Sequence, residues 1–243
     1  MGRISKGVFG RTVLPKKCLV YAGVYLPRTV DSAKGNFDQS SRTKEDFVKY
    51  AFARKNGKEF LLCFGLLGAA STIELLQCLK DGGTKDVVFV GSMGAKNLPI
   101  GTIVLPTAVI DKAGIVSLDE PAKFTISADP RSLAVLRRLL RANRVEHVEA
   151  TIVSVPSVFH GVQSIITFVR ERPEVDGVEM ELSTLYHFAN KLGINAYAIV
   201  YVYDNTKHDI MHRSKSVDQA RRRAFQTTQR IALEVLQADA SRA

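Results

Sequence analysis

Apolar positions in this chain fall into two patterns: short continuous runs, and longer stretches in which they recur every three or four residues. Glu59 to Phe64 (EFLLCF) is a continuous run that ends in Gly65-Leu66-Leu67-Gly68-Ala69-Ala70-Ser71. From there Ala70, Ile73, Leu76 and Leu79 recur at helical spacing as far as Gly82-Gly83. The pattern predicts strand, turn and helix. Asp86 to Val90 (DVVFV) reads as the next buried strand, which completes a βαβ unit with parallel strands and a right-handed crossover. It runs into a second small, glycine-rich stretch, Gly91-Ser92-Met93-Gly94-Ala95, read as a turn.

Thr102 to Ile110 is β-branched and predicts a strand, and Asp129-Pro130 opens a helix as N-cap and first residue, with Leu133, Leu136 and Leu140 as its core stripe. Ala150 to Val155 predicts a strand and Val162 to Arg172 a helix. After Val178-Glu179-Met180-Glu181, residues Leu182, Leu185, Ala189 and Leu192 share a helical face that Gly193 terminates. Ala196 to Tyr203 (AYAIVYVY) is a continuous apolar strand ending at Asp204, and Ser216 to Gln237 forms a long closing helix. This alternation predicts one α/β domain over residues 1–243, three layers deep, with a central mixed and largely parallel sheet between helices. Ligands of such sheets bind beyond the carboxyl ends of the strands, where Gly65 to Ala70, Gly91 to Ala95 and Asp204 are expected to meet.

Composition narrows the class. The 243 residues are 46% hydrophobic and 24% charged, with no apolar run near the roughly 20 residues that cross a bilayer and no signal-peptide pattern, so a soluble, cytoplasmic protein is expected. Cys18, Cys63 and Cys78 are too scattered for a disulfide framework, and Cys63 and Cys78 are expected in buried elements. No metal site is expected: His208 and His212 have ligand spacing, but Asp204-Asn205-Thr206 before them reads as a loop. The net charge of +10 suits a small anionic substrate as well as nucleic acid. The arginine clusters Arg137, Arg138, Arg141, Arg144 and Arg221 to Arg223 lack the interleaved aromatics that stack on single strands, which argues against nucleic acid.

Linked segments resemble the family of nucleoside phosphorylases and adenosylhomocysteine-type nucleosidases. Phe89 to Ile110 (FVGSMGAKNLPIGTIVLPTAVI) resembles its strand and glycine turn followed by xxGDxVxxTxAI, and Val178 to Asn205 resembles its VEMEAAxLYxxAxxxGVxAxAIxxVSDx segment. Phe64 to Ser71 resembles its G-x-G-x-x-S turn more loosely, and Ala220 to Leu236 its closing helix. Together they cover about two thirds of the chain in the family's order.

The resemblance implies cleavage of the bond between a nucleobase and a sugar. A carboxylate on the ribose hydroxyls would orient the sugar and favour the positive charge that develops on it. Glu181 matches that residue, Met180 the side chain that packs on ribose, and Glu179 a second carboxylate. Asp204 matches the acid that protonates the departing purine, with Arg221 from the closing helix beside it and Arg213 as the rival assignment. Ser92, with Gly94, matches the turn that meets phosphate, and Phe159 the aromatic that stacks on the base; His160 lies beside it. No organic cofactor or metal is implied. Phosphate is the cosubstrate, and homo-oligomers (dimers or hexamers) are expected.

The chain also departs from the pattern. Phe89 stands where phosphorolytic members carry an arginine, and the N-terminal G-D-P-x-R loop is replaced by Ala22 to Arg28 (AGVYLPR), leaving Arg28 or Arg42 to supply the charge. The glutamate with which hydrolytic members activate water has no counterpart near Gly23, and Tyr203 replaces the usual serine before the aspartate. Three readings follow: a purine nucleoside phosphorylase, a nucleoside or nucleotide hydrolase, and a non-catalytic member that binds nucleoside or nucleic acid.

Overall fold

The computed structural model describes residues 2–23, 27–158, 161–207 and 214–238, with the side chains of 27–29 and 162 excepted. The N-terminal half comprises α1 (Arg3–Phe9), β1 (Lys17–Ala22), α2 (Pro27–Lys34), β2 (Gln39–Ser40), β3 (Lys44–Glu45), β4 (Lys49–Lys55), β5 (Lys58–Leu66), α3 (Gly68–Asp81) and β6 (Asp86–Ala95). Next come β7 (Ile103–Asp111), α4 (Ile115–Asp119), β8 (Thr125–Ser127), α5 (Pro130–Ala142) and β9 (Val148–Ser154). The chain continues through α6 (Val162–Arg170), β10 (Val175–Glu179), α7 (Leu182–Leu192), β11 (Asn195–Asn205) and α8 (Lys215–Gln237). Among the described residues no helix is long and apolar enough to cross a membrane.

The strands form one mixed α/β sheet in the order β10-β9-β7-β11-β6-β1-β5-β4-β2, with β3 on β4 and β8 on β7. The β1–β5, β1–β6, β6–β11, β7–β9 and β9–β10 ladders are parallel. As expected, β5 and β6 run the same way, but β1 lies between them. That strand is a short apolar run, which periodicity alone cannot distinguish from a piece of buried helix. Local chemistry set the helix ends as read: Asp129 accepts the Ser132 N–H at 2.8 Å with Pro130 first in α5, and Gly193 ends α7 with φ 66°. All three cysteines are buried and free.

The glycine-rich stretch after Val90 is not a turn. Gly91 to Ala95 continues β6, pairing with β11 from Gly91↔Val200 to Ala95↔Asn205, while Gly94 and Ala95 also pair antiparallel with Val178 and Gly177 of β10. This last contact closes β6, β11, β7, β9 and β10 into a ring. Small residues are needed here because backbones approach closely. A Cβ on Gly177 would stand 2.2 Å from Met93 Cε and 2.3 Å from the Gly94 carbonyl oxygen. Asp204 likewise lies within β11 rather than beyond it.

Gly177→Ala should therefore lower the unfolding free energy by about 1–3 kcal/mol, the usual cost of overpacking, measured by denaturant titration. An unchanged midpoint would contradict the close approach of β10 to β6.

Candidate active site

The chain leaves β10 at Glu179 and enters α7 at Leu182, so Met180 and Glu181 occupy the corner between them. The first N–H groups of a helix need partners from outside it. Glu181 is the N-cap residue but makes no side-chain cap. Instead Glu179 Oε2 accepts the N–H groups of Glu181 (2.6 Å) and Leu182 (2.7 Å), and Ser154 Oγ at the end of β9 accepts that of Ser183 (2.9 Å). The Ser154 hydroxyl donates to Glu179 Oε1, and Ser183 Oγ donates to Asp111 Oδ1 at 2.8 Å.

With the helix end satisfied from below, Glu181 reaches across to the start of α3 and accepts the Gly68 N–H at 2.6 Å. Gly68 has φ +80°, and a Cβ there would touch Met180 Cε at 3.8 Å. Glu179 and Glu181 are only 4% and 5% exposed. Burial raises both carboxyls above the ordinary glutamate value of 4.5, and the charge of Glu181 raises Glu179 further, while N–H and O–H donors pull it back.

The second half of the site comes from β11 and α8. The Asp204 carboxylate oxygens lie 3.2 and 3.5 Å from where a Gly94 Cβ would stand, beside Val178 Cγ2 at 3.4 Å, so the glycine leaves the space that the carboxylate fills. Arg221 is 5% exposed; its Nε donates to the Tyr203 carbonyl at 2.8 Å and its guanidinium lies 4.1 Å from the Tyr203 ring centroid. Asp218 Oδ1 is 3.4 Å from Arg221 Nη1. Because Val178 pairs with Gly94 and is followed by Glu179, the end of β10 joins the Asp204 half of the site to the Glu181 half.

Ser92 is half-buried within β6, opposite Tyr201, on a strand and not on a turn of free N–H groups. Phe89 is 1% exposed, and its ring fills the space over Gly91, where a Cβ would meet Phe89 Cε1 at 2.7 Å. Arg42 is exposed between β2 and β3. Strands β6, β1 and β5 separate β4 from β11, roughly 19 Å at about 4.8 Å per strand, so one chain does not set Arg42 beside Asp204. Phe159, His160, His208, His212, Arg213 and the Arg28 side chain lie outside the described residues.

The described residues contain one group with metal-ligand chemistry, Asp119, Glu120 and His187. His187 Nε2 is 2.6 Å from Asp119 Oδ2, but the Lys191 ammonium bonds the same carboxylate at 2.6 and 2.7 Å and supplies the positive charge a metal would bring.

Sequence reasoning missed Ser154, Ser183, Asp111 and the Gly68 N–H. Ser154 and Asp111 carried a signal, each being a polar residue that follows an apolar stretch at the end of a strand and is buried there, at 0% and 5% exposure. Gly68 lay in the glycine-rich stretch already expected at the crevice, but its bond to Glu181 carried no signal, because the group it offers is backbone.

A family model described as the phosphorylase superfamily matches residues 30–237. Among solved structures, uridine phosphorylase from Vibrio fischeri, complexed with 6-hydroxy-1-naphthoic acid, superposes with a TM-score of 0.76 at 17% identity, covering 92% of this chain and 91% of that one. The 5′-methylthioadenosine/S-adenosyl homocysteine nucleosidase of Campylobacter jejuni has a TM-score of 0.75 at 14% identity (90% and 97% covered). Purine nucleoside phosphorylase of Toxoplasma gondii, in complex with immucillin-H, has a TM-score of 0.75 at 16% identity (93% and 94% covered). No curated protein sequence matches the chain.

The buried carboxyl pair makes stability depend on pH. A carboxyl raised in the folded state favours folding below its unfolded value of 4.5, and that contribution is lost as pH rises through its folded value, about 7 for Glu181. The melting temperature should fall between pH 4.5 and 7, and Glu181→Gln should flatten that slope. Equal slopes in the two proteins would show that Glu181 is not the titrating group.

Proposed function

Because the chain belongs to the phosphorylase superfamily, we propose that it is a nucleoside phosphorylase that cleaves a purine nucleoside with phosphate, giving free base and ribose 1-phosphate. The observation that carries this reading is the placing of two carboxylates around the end of one strand: buried Glu181 beyond β10, and Asp204 over Gly94 beside Val178. Glu181, with Met180 against Gly68, takes the ribose hydroxyls and stabilises the oxocarbenium-like sugar. Asp204 gives a proton to the purine ring nitrogen as the bond breaks. Phosphate is the cosubstrate, approaching from the side of Ser92, and no organic cofactor is required.

A second reading is favoured by Phe89. Its buried ring occupies the strand position where the resemblance expects the phosphate-binding arginine. A phenyl group cannot hold an anion, so water is the alternative nucleophile and the enzyme is then a nucleoside or nucleotide hydrolase. We further read the chain as a cytoplasmic homo-oligomer, a dimer or hexamer. Its three free thiols suit a reducing compartment, and Leu118 and Phe124, 82% and 60% exposed, suit burial by a second copy.

The deciding experiment incubates the protein with nucleosides and nucleotides, with and without phosphate, and follows free base by chromatography. Base released only with phosphate establishes the phosphorylase, base released regardless establishes the hydrolase, and no release removes both. In the cognate reaction Glu181→Ala should lower kcat/KM by about 2 kcal/mol or more, roughly 30-fold, for loss of a charge-assisted bond to the reacting sugar. Asp204→Asn should lower kcat for purine nucleosides roughly 100-fold, yet leave a nitrophenyl riboside, whose leaving group needs no proton, nearly unaffected. A common loss on both substrates would remove the acid role.

A further inference from the structure

Strand β11 carries one residue more than its partner between Val202 and Asp204. Val202 pairs with Met93 and Asp204 with Gly94, which leaves Tyr203 as the extra residue of a β-bulge. In an uninterrupted register Tyr203 would stand opposite Gly94, and Asp204 opposite Ala95. The bulge therefore sets the Asp204 carboxylate over the one residue in that pair with no side chain, where a Cβ would come within 3.2 Å of its oxygen.

A bulge residue loses part of its ladder bonding and bends the strand, so its conformation needs support from elsewhere. Arg221 supplies that support twice over. Its Nε donates to the Tyr203 carbonyl at 2.8 Å, at the peptide that leads into Asp204, and its guanidinium lies over the Tyr203 ring with 4.1 Å to the centroid. The guanidinium is almost wholly buried, and a cation over an aromatic face gains most when water is excluded. Behind the Tyr203 ring stands Tyr201, 6.5 Å between centroids, and Tyr201 packs on Phe225, one helical turn beyond Arg221 on α8.

We propose that Tyr203 is a positioning residue: its carbonyl and its ring together grip Arg221, and the grip locks the bulge that holds the Asp204 carboxylate over Gly94. The ring does work that a serine at this position has no surface to do. Tyr203 acts through Asp204 and touches neither base nor sugar in this scheme, which rests on the acid role proposed for Asp204.

The test compares Tyr203→Ala, Tyr203→Phe and Arg221→Lys with Asp204→Asn, reading kcat and KM on a purine nucleoside and on a nitrophenyl riboside. Tyr203→Ala should lower kcat on the purine nucleoside about 10-fold or more, with KM and the nitrophenyl reaction within about twofold. Tyr203→Phe keeps ring and carbonyl and should stay within about threefold of the parent. Arg221→Lys keeps the charge but loses the planar stack and the Nε donor, so it should also lower kcat on the purine nucleoside about 10-fold or more. Equal losses on both substrates, no loss, or a Tyr203→Phe variant as impaired as Tyr203→Ala would each overturn the inference. If Tyr203→Ala does not fold, Tyr203→Leu, which keeps bulk and carbonyl but not the aromatic face, decides by the same criteria. Should Asp204→Asn itself fail to discriminate between the substrates, the acid role falls and the inference falls with it. If Asp204→Asn discriminates and Tyr203→Ala does not, only the positioning role is lost.

Discussion

A helix that begins inside a protein must have its first N–H groups bonded by something other than itself, and the start of α7 meets this requirement from below. Glu179 takes two of those N–H groups and Ser154 a third, with the Ser154 hydroxyl closing the link back to Glu179. An anion at a helix N-terminus is favoured by the backbone dipole as well as by the bonds it accepts. The arrangement leaves Glu181 unspent as a cap, and its carboxylate accepts the Gly68 N–H at the start of α3. Removing either Glu179 or Ser154 would strand buried N–H groups, which is why the geometry of Glu181 depends on these two residues.

Close backbone contact is the second constraint. The ring of strands closes only because Gly177 and Gly94 let β10 and β6 approach within the radius of a side chain. The same absence of a Cβ at Gly94 creates the space for the Asp204 carboxylate. One local feature thus joins the sheet and shapes the site, and it sets the Asp204 carboxylate beside β10, the strand that leads to Glu181.

Electrostatics limits what such a site can hold. Burial raises the cost of ionising both glutamates, the charge of Glu181 raises that of Glu179 further, and the donors around each offset part of it. The face of β6 that carries Phe89 is apolar. Positive charge enters the described part of the site through Arg221, which is committed to Tyr203 and Asp218. The described groups are therefore two raised carboxyls and a buried guanidinium, with an apolar ring at Phe89.

The sequence by itself determined the alternation of strands and helices, the capping of α5 by Asp129 and the stop of α7 at Gly193, because these depend on neighbours within a turn or two. It also singled out Glu179, Met180, Glu181 and Asp204, through the linked segments that resemble a known family, but not the strand β10 that leads into the first three or the continuation of β11 through Asp204. What the sequence did not determine was the meaning of the glycines. Gly91 and Gly94 read as turn residues, since a glycine's freedom is visible locally, but only tertiary structure shows that they are small to admit Phe89, Asp204 and β10. The division of labour between Glu179 and Glu181 was hidden for the same reason. Two carboxylates two residues apart are chemically alike in a sequence, and it is packing against Ser154 on one side and Gly68 on the other that makes one a helix cap and turns the other toward the start of α3. The bulge at Tyr203 belongs with these, because it exists only as a register difference between two paired strands.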